Sequence, residues 1–152
     1  RSIGRDTRGV RGMTLKSNDC VVGMEVLTAG REILAVTERG YGKRTPADEY
    51  RIQRRGGTGI LAMRANAKVG FVVGMRSVTD EDELILTSSG GTTIRVKVSD
   101  ISLIGRVTQG VRVMNVSGDE RLVAVDVVVE KDDEQELPLD PEGSTLPPQD
   151  EE

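Results

Sequence analysis

The sequence contains no histidine and no tryptophan, and its single cysteine is Cys20. The lack of histidine removes the usual general base, and one cysteine is too few for a structural zinc site. A lone cysteine cannot form an internal disulfide, which suits a reducing cytosol, and the adjacent Val21 and Val22 predict a small core residue. No other nucleophile–base constellation appears. We therefore expect no catalytic residue, no metal and no cofactor in this chain.

Aromatic residues and long apolar runs are also scarce. No stretch of about 18 apolar residues occurs, so the sequence predicts no membrane span. Residues 1–20 contain no apolar segment typical of a secretory signal. Glycine, in contrast, is abundant at 18 residues, and the apolar residues are mainly Val, Ile and Leu. This composition predicts an all-β fold of strands joined by glycine turns.

The net charge of −4 averages two unlike segments. Residues 130–152 hold ten acids and one base, a net of −9, whereas residues 1–129 hold 20 bases and 15 acids, a net of +5. Sixteen of those 20 bases are arginine, whose planar guanidinium suits phosphate. The sequence therefore predicts a basic body at 1–130 that binds nucleic acid and a separate acidic tail at 131–152. The tail contains four prolines and few apolar residues, so we expect it to be disordered.

A motif recurs in the body with a period close to 50 residues. Its copies begin at Ile3, Gln53 and Ile104, and each contains a glycine followed by Val or Ile. These marker glycines are Gly9, Gly59 and Gly110. A β-unit of this length in tandem is typical of propeller-like arrays. The chain holds about two and a half units, too few to close a ring, so we expect further units before Arg1.

Each unit is predicted to form a four-stranded blade. A Gly90-Gly91 pair indicates a hairpin between the last two strands of the second unit, and the acids from Asp80 to Glu83 indicate a solvated turn rather than a calcium loop. The predicted strands of this unit are Gly59–Arg64, Phe71–Val78, Glu83–Thr87 and Thr93–Val98.

Basic residues stand at corresponding places in the units, beside glycines that allow close approach of a partner. The sequence predicts that they contact DNA phosphates, which fixes position without reading sequence. The alternative is that they keep solvated loops and strand edges soluble. The candidate residues are Arg5, Arg8, Lys43, Arg44, Arg54, Arg55, Arg95, Lys97 and Arg106. A nucleotide site at Gly40–Thr45 is excluded because no phosphate-loop pattern is present.

Three features together resemble the C-terminal domain of the DNA gyrase A subunit. They are the stretch GYGKRT-x-x-x-EY from Gly40 to Tyr50, the stretch from Val98 to Val111, and the acidic terminus. The related polypeptide of topoisomerase IV is similar to a lesser degree. Gln53–Gly59 matches the family's hallmark box except that Thr58 replaces its second base, and we expect it to be a repeat-equivalent copy.

The resemblance implies a β-pinwheel, a propeller variant that exchanges strands between neighbouring blades, with this chain supplying the last blades. It implies a bacterial, cytoplasmic and nucleoid-associated protein that wraps duplex DNA with positive handedness and thereby supports ATP-dependent negative supercoiling. The expected partners are the rest of the gyrase A subunit, together with the gyrase B subunit in an A2B2 heterotetramer, and ATP and Mg²⁺ would bind elsewhere in that enzyme. Two alternatives stay open: a topoisomerase IV-type DNA-binding domain and a propeller-like protein-interaction module.

Overall fold

The computed structural model describes residues 4–128, which form seven β-strands in two antiparallel sheets. The strands are β1 Glu32–Thr37, β2 Tyr41–Pro46, β3 Val72–Val78, β4 Glu83–Ser88, β5 Thr93–Lys97, β6 Val111–Arg112 and β7 Leu122–Val128. Within the described residues the only helices are two short 3-10 turns, Ala47–Glu49 after β2 and Val98–Asp100 after β5. None of the described helices is long and apolar enough to cross a membrane. The predicted acidic tail lies outside the described residues.

Each sheet is a hairpin extended by strands from later units. The first sheet has the order β3-β1-β2-β6 and the second has the order β5-β4-β7. The strand added to each hairpin comes from the following unit, because β3 pairs with β1 and β7 pairs with β4. Both pairings are irregular at corresponding places, between Val36 and Thr37 and between Thr87 and Ser88. The two sheets therefore share one strand arrangement, in which the hairpin of one unit pairs with a strand of the next unit.

One apolar core joins the two sheets. Leu34 and Val36 of β1 are fully buried in the same cluster as Leu84 and Leu86 of β4. The sheets also approach each other through β3 and β7. A Cβ at Gly74 would lie only 2.5 Å from Val125 Cγ1, so a larger residue there would push the sheets apart.

The sequence predicts the strands of the second unit well, with one exception. The strands β3, β4 and β5 confirm three of the four predicted segments, but Gly59–Arg64 forms no strand. The corresponding residues of the third unit, Val111 and Arg112, pair with Gly42 and Tyr41 of β2. Residues 60 and 61 have no such partner strand in the part of the chain that the structure describes.

The prediction that Cys20 lies in the core is wrong, because the side chain is exposed. Cys20 corresponds in the repeat to Phe71, which is also exposed and directly precedes β3. The residue at this position therefore faces outward even where the following strand is paired. Apolar neighbours in sequence do not reveal this, since side chains alternate between faces along an extended segment.

Candidate nucleic-acid interface

The three marker glycines share one backbone conformation. The φ angles of Gly9, Gly59 and Gly110 are 74°, 79° and 79°, in the left-handed region that glycine adopts without a steric penalty. At Gly110 there is also no room for a side chain, because a Cβ would lie 2.6 Å from the carbonyl oxygen of Gly42. Each repeated turn is thus built in the same way.

The turn of the first unit is hydrogen-bonded to the turn of the second. The amide of Gly56 donates to the carbonyl of Gly12 at 2.8 Å, and the amide of Thr14 donates to the carbonyl of Gly57 at 2.9 Å. The Thr14 hydroxyl adds a 2.7 Å bond to the carbonyl of Gly56. These bonds hold two arginine-bearing segments that are more than 40 residues apart side by side.

The second unit contacts the turn of the third in a similar manner. The amide of Arg64 donates to the carbonyl of Thr108 at 2.9 Å, and the Arg106 guanidinium donates to the carbonyl of Leu61 at 3.0 Å. The three turns therefore form one continuous row, made of residues 4–14, 53–64 and 104–108, which we call the arginine row.

Four of the predicted contact residues in this row face solvent. Arg5, Arg8, Arg54 and Arg55 are exposed, and none of them forms an ion pair with a carboxylate in residues 4–128. Because no acid neutralises them there, their charges are available to an anionic partner.

A further base, Arg11, joins them. It lines a shallow depression of about 570 Å³ together with Arg54 and Arg55. Sequence reasoning missed Arg11, since hydrogen bonds between the first and second turns bring it there only in the folded chain. One signal was available in the sequence: arginine stands two residues after the marker glycine in the first unit and again, as Arg112, in the third.

Lys43 lies inside the fold, so its predicted contact with DNA is wrong. Its side chain is fully buried, and its ammonium donates to the carbonyls of Gly105, at 2.8 Å, and Arg106. Burial lowers the pKa of Lys43 below its ordinary value, and the nearby Glu49 carboxylate opposes this shift. Lys43 therefore holds the third turn from within, and we omit it from the proposed contact surface.

Arg44 is also buried, although the sequence places it among the contact residues. Its guanidinium pairs with Glu32 at 2.7 Å and with Asp80, and its Nε donates to the carbonyl of Ile101 at 2.7 Å. The acidic turn after β3 is thus not merely solvated, since Asp80 partners Arg44. Arg44 links three segments of the chain and is likewise omitted from the contact surface.

The remaining predicted residues of β5, Arg95 and Lys97, are exposed on alternate positions of the strand. Arg95 forms an ion pair with Glu83 on the neighbouring strand β4. An acid therefore offsets part of the charge of Arg95, whereas Lys97 forms no ion pair with any residue in the described part of the chain.

Arg106 is half-buried and held at several points. Its amide donates to Glu49 Oε2 at 2.9 Å, and its guanidinium carbon lies 6.0 Å from the centre of the Tyr50 ring. The stretch from Gly40 to Tyr50, which carries much of the family resemblance, thus contacts and supports the third turn.

The pKa values of the two tyrosines of this stretch are shifted in opposite directions. Arg112 donates a 3.0 Å hydrogen bond to the Tyr41 hydroxyl and, with added attraction from Lys68, lowers the pKa of Tyr41. Burial raises the pKa of Tyr50, and the charge of Arg106 opposes that shift. The basic residues around Tyr41 stack on its ring, with Arg112 at 5.4 Å and Lys68 at 5.7 Å from the ring centre.

Tandem β-units with exchanged strands and a row of basic turns define a propeller-like repeat domain with a surface suited to anions. Comparison with known proteins identifies the family. The profile of the DNA gyrase C-terminal domain, beta-propeller, matches residues 1–28, 31–79 and 82–128, and the chain belongs to this family. The three matched stretches correspond to the three repeats in the sequence.

Curated proteins similar to this chain include DNA gyrase A subunits. The chain is 42% identical over 147 residues to the DNA gyrase A subunit of Staphylococcus aureus strain NCTC 8325, and 43% identical over 138 residues to that of strain MRSA252. The alignments cover 95% and 90% of this chain, respectively, but only 16% of each relative. The chain thus spans about a sixth of the length of these relatives.

Solved structures agree with the sequence comparison. A DNA gyrase A C-terminal domain superposes with a TM-score of 0.78 at 31% identity, covering 85% of this chain and 44% of that one. The C-terminal domain of a DNA topoisomerase IV gives a TM-score of 0.73 at 26% identity, covering 78% of this chain and 38% of the other. The resemblance to gyrase rather than topoisomerase IV is therefore the stronger of the two in these comparisons.

Proposed function

We propose that this chain binds and bends duplex DNA without sequence preference, using the arginine row as its contact surface. The observation that carries the proposal is the continuity of the row across three units. Backbone hydrogen bonds join its turns, and its exposed arginines lack acidic partners in the described residues. A continuous series of positive charges suits a phosphate backbone that must follow it.

Within the DNA gyrase A subunit, such a domain would wrap DNA and support ATP-dependent negative supercoiling. The reaction would need the remainder of that polypeptide, the gyrase B subunit, ATP and Mg²⁺, with this chain supplying only the DNA-wrapping surface. The bacterial relatives favour action in the cytoplasm on the chromosome. The 26% identity to a topoisomerase IV domain keeps a DNA-binding domain of that type as the second candidate.

A protein-interaction module would be expected to display an apolar patch. Exposed large apolar residues do concentrate between Val10 and Leu27, and residues 21–27 correspond in the repeat to β3. Because β3 pairs with the hairpin of the unit before it, we interpret this exposure as an edge for a preceding unit. The apolar segment thus supports exchange between repeats more than the docking of another protein.

The proposal is tested by titrating DNA affinity against salt in the complete gyrase polypeptide. Counterion release predicts a linear fall of log K with log salt, with a slope of about −0.9 for each phosphate neutralised. Duplexes of unrelated sequence should bind equally well. Single strands should bind more weakly, since the chain has only three aromatic residues on which bases could stack. A salt-independent affinity would contradict the proposal.

A further inference from the structure

An acidic side chain lies beside the arginine row. Glu49 is exposed, and its Oε2 accepts a 2.9 Å hydrogen bond from the amide of Arg106. A carboxylate at this place repels DNA phosphates, so charge alone would disfavour it on a DNA-binding surface. Its hydrogen bond to the backbone of an arginine suggests a different role.

Glu49 completes a set of contacts that hold the third turn from the first unit. The Lys43 ammonium donates to the carbonyls of Gly105 and Arg106, and the Thr45 hydroxyl donates to the carbonyl of Ile104 at 3.0 Å. These two side chains bind carbonyl oxygens, whereas the Glu49 carboxylate accepts from the amide of Arg106. Together they fix the backbone on both sides of the Arg106 Cα.

The Arg106 side chain extends from this fixed backbone, and most of its N–H donors form no hydrogen bond with the residues that the structure describes. A guanidinium has five N–H donors. Among residues 4–128 it makes one hydrogen bond, to the carbonyl of Leu61, and it lies over the ring of Tyr50. The other donors can bind a phosphate, and the fixed backbone reduces the entropy that Arg106 loses on doing so.

We propose that Glu49 is a positioning residue for DNA binding. It orients the Arg106 turn towards a phosphate, and the affinity gained in this way exceeds the affinity lost through repulsion between its carboxylate and DNA. This inference rests on the proposed DNA-binding function. The hydrogen bond is charge-assisted and local, whereas solvent and salt screen the repulsion between the carboxylate and DNA.

The neighbouring Asp48 provides a matched control. It is also exposed, but it forms no hydrogen bond or ion pair with any residue that the structure describes. Removal of its charge in Asp48→Ala should tighten DNA binding slightly. If Glu49 acted through charge alone, Glu49→Ala would tighten binding in the same way. The positioning role predicts the opposite sign for Glu49→Ala.

The experiment measures duplex DNA affinity against salt in the complete gyrase polypeptide for Asp48→Ala, Glu49→Ala, Glu49→Gln and Arg106→Ala. We expect Glu49→Ala to weaken binding several-fold and to reduce the salt slope by up to about 0.9, as Arg106→Ala does. Glu49→Gln keeps an acceptor oxygen but loses the charge assistance, so it should retain part of the affinity that Glu49→Ala loses. Combined with Arg106→Ala, the Glu49→Ala change should have no further weakening effect.

Two results would overturn the positioning role of Glu49, and they differ in what they imply for the phosphate contact of Arg106. If Glu49→Ala tightens binding as Asp48→Ala does, the positioning role is wrong while the DNA-binding function stands. If Arg106→Ala leaves affinity unchanged, Arg106 contacts no phosphate and the positioning role fails with it. In that second case the salt slope of the unaltered protein still tests the DNA-binding function by itself. Thermal unfolding of each variant checks that the domain remains folded.

Discussion

The ammonium nitrogen of Lys43 lies 2.8 Å from the carbonyl oxygen of Gly105, which follows it by 62 residues in the chain. This contact joins the hairpin of the first unit to the glycine turn of the third. Lys43 therefore holds the repeat together, in contrast to the exposed Arg54 and Arg55 of the arginine row.

Replacement of Lys43 by methionine should destabilise the domain without removing a DNA contact. Methionine fills a similar volume but removes the ammonium that donates to the partly buried carbonyls of Gly105 and Arg106. Hydrogen bonds with a charged group contribute about 1.5–3 kcal/mol, and water that reaches the carbonyls lowers the loss. Urea unfolding followed by circular dichroism measures the loss. An unchanged free energy of unfolding would show that these carbonyls find other donors.

The two carboxylates that pair with Arg44 should contribute unequally to stability. Asp80 has a side chain that is 69% exposed, whereas that of Glu32 is 18% exposed. We therefore expect Asp80→Asn to cost about 1 kcal/mol or less, since solvent screens an exposed pair, and Glu32→Gln to cost more. Arg44→Met should cost about 3 kcal/mol because it leaves Glu32 without its partner. The opposite order of Asp80→Asn and Glu32→Gln in urea unfolding would contradict this assignment.

The two tyrosines should ionise in separate steps. Because the hydrogen bond from Arg112 lowers the pKa of Tyr41 and burial raises that of Tyr50, the Tyr41 phenolate should form first as pH rises. With no tryptophan in the chain, ultraviolet absorption reports the phenolates directly. Tyr41→Phe should remove the earlier step and Tyr50→Phe the later one. The lowered pKa of Tyr41 also makes the stability of the domain depend on pH. The stabilisation from the Tyr41 phenolate is fully present above the ordinary tyrosine pKa and is lost as pH falls through the lowered pKa of the folded state.

Deletion of residues 131–152 should tighten DNA binding at low salt. These residues belong to a segment of net −9 attached to a body of net +5, and tethering can hold such a segment near the row at about millimolar local concentration. The tail would then compete with DNA phosphates for Arg54 and Arg55. The gain from deletion should shrink as salt rises, because screening weakens that attraction. Unchanged low-salt affinity would leave the tail a role in solubility alone.

The sequence predicts most of the strands because their signals are local. The strands β3, β4 and β5 are rich in β-branched residues, and glycine pairs or acidic turns separate them. The exchange of β3 between units is a property that only the resemblance implied. Residues 59–64 show the limit of local signals, since the equivalent Val111 and Arg112 form a strand only by pairing with β2, which is distant in sequence.

The contact surface was less predictable than the fold. Arginine and lysine are rarely buried, so the sequence favoured exposure for Lys43 and Arg44. Their burial depends on Asp80, Ile101 and Gly105, which are distant in sequence and reach them only in the folded repeat. Arg11 was missed for the converse reason, because hydrogen bonds between two units bring it to Arg54 and Arg55.

The DNA-binding role of the arginine row is tested by the salt dependence of duplex binding in the complete gyrase polypeptide with the double variant Arg54→Ala/Arg55→Ala. Arg121 is the control, because it is exposed but lies 3.3 Å from the Glu38 carboxylate, which offsets part of its charge. The double variant should bind more weakly, with a salt slope smaller by up to about 1.8, at 0.9 per phosphate contact, while Arg121→Ala should change little. If the double variant kept the affinity and the slope of the unaltered protein, the arginine row would not be the DNA-binding surface.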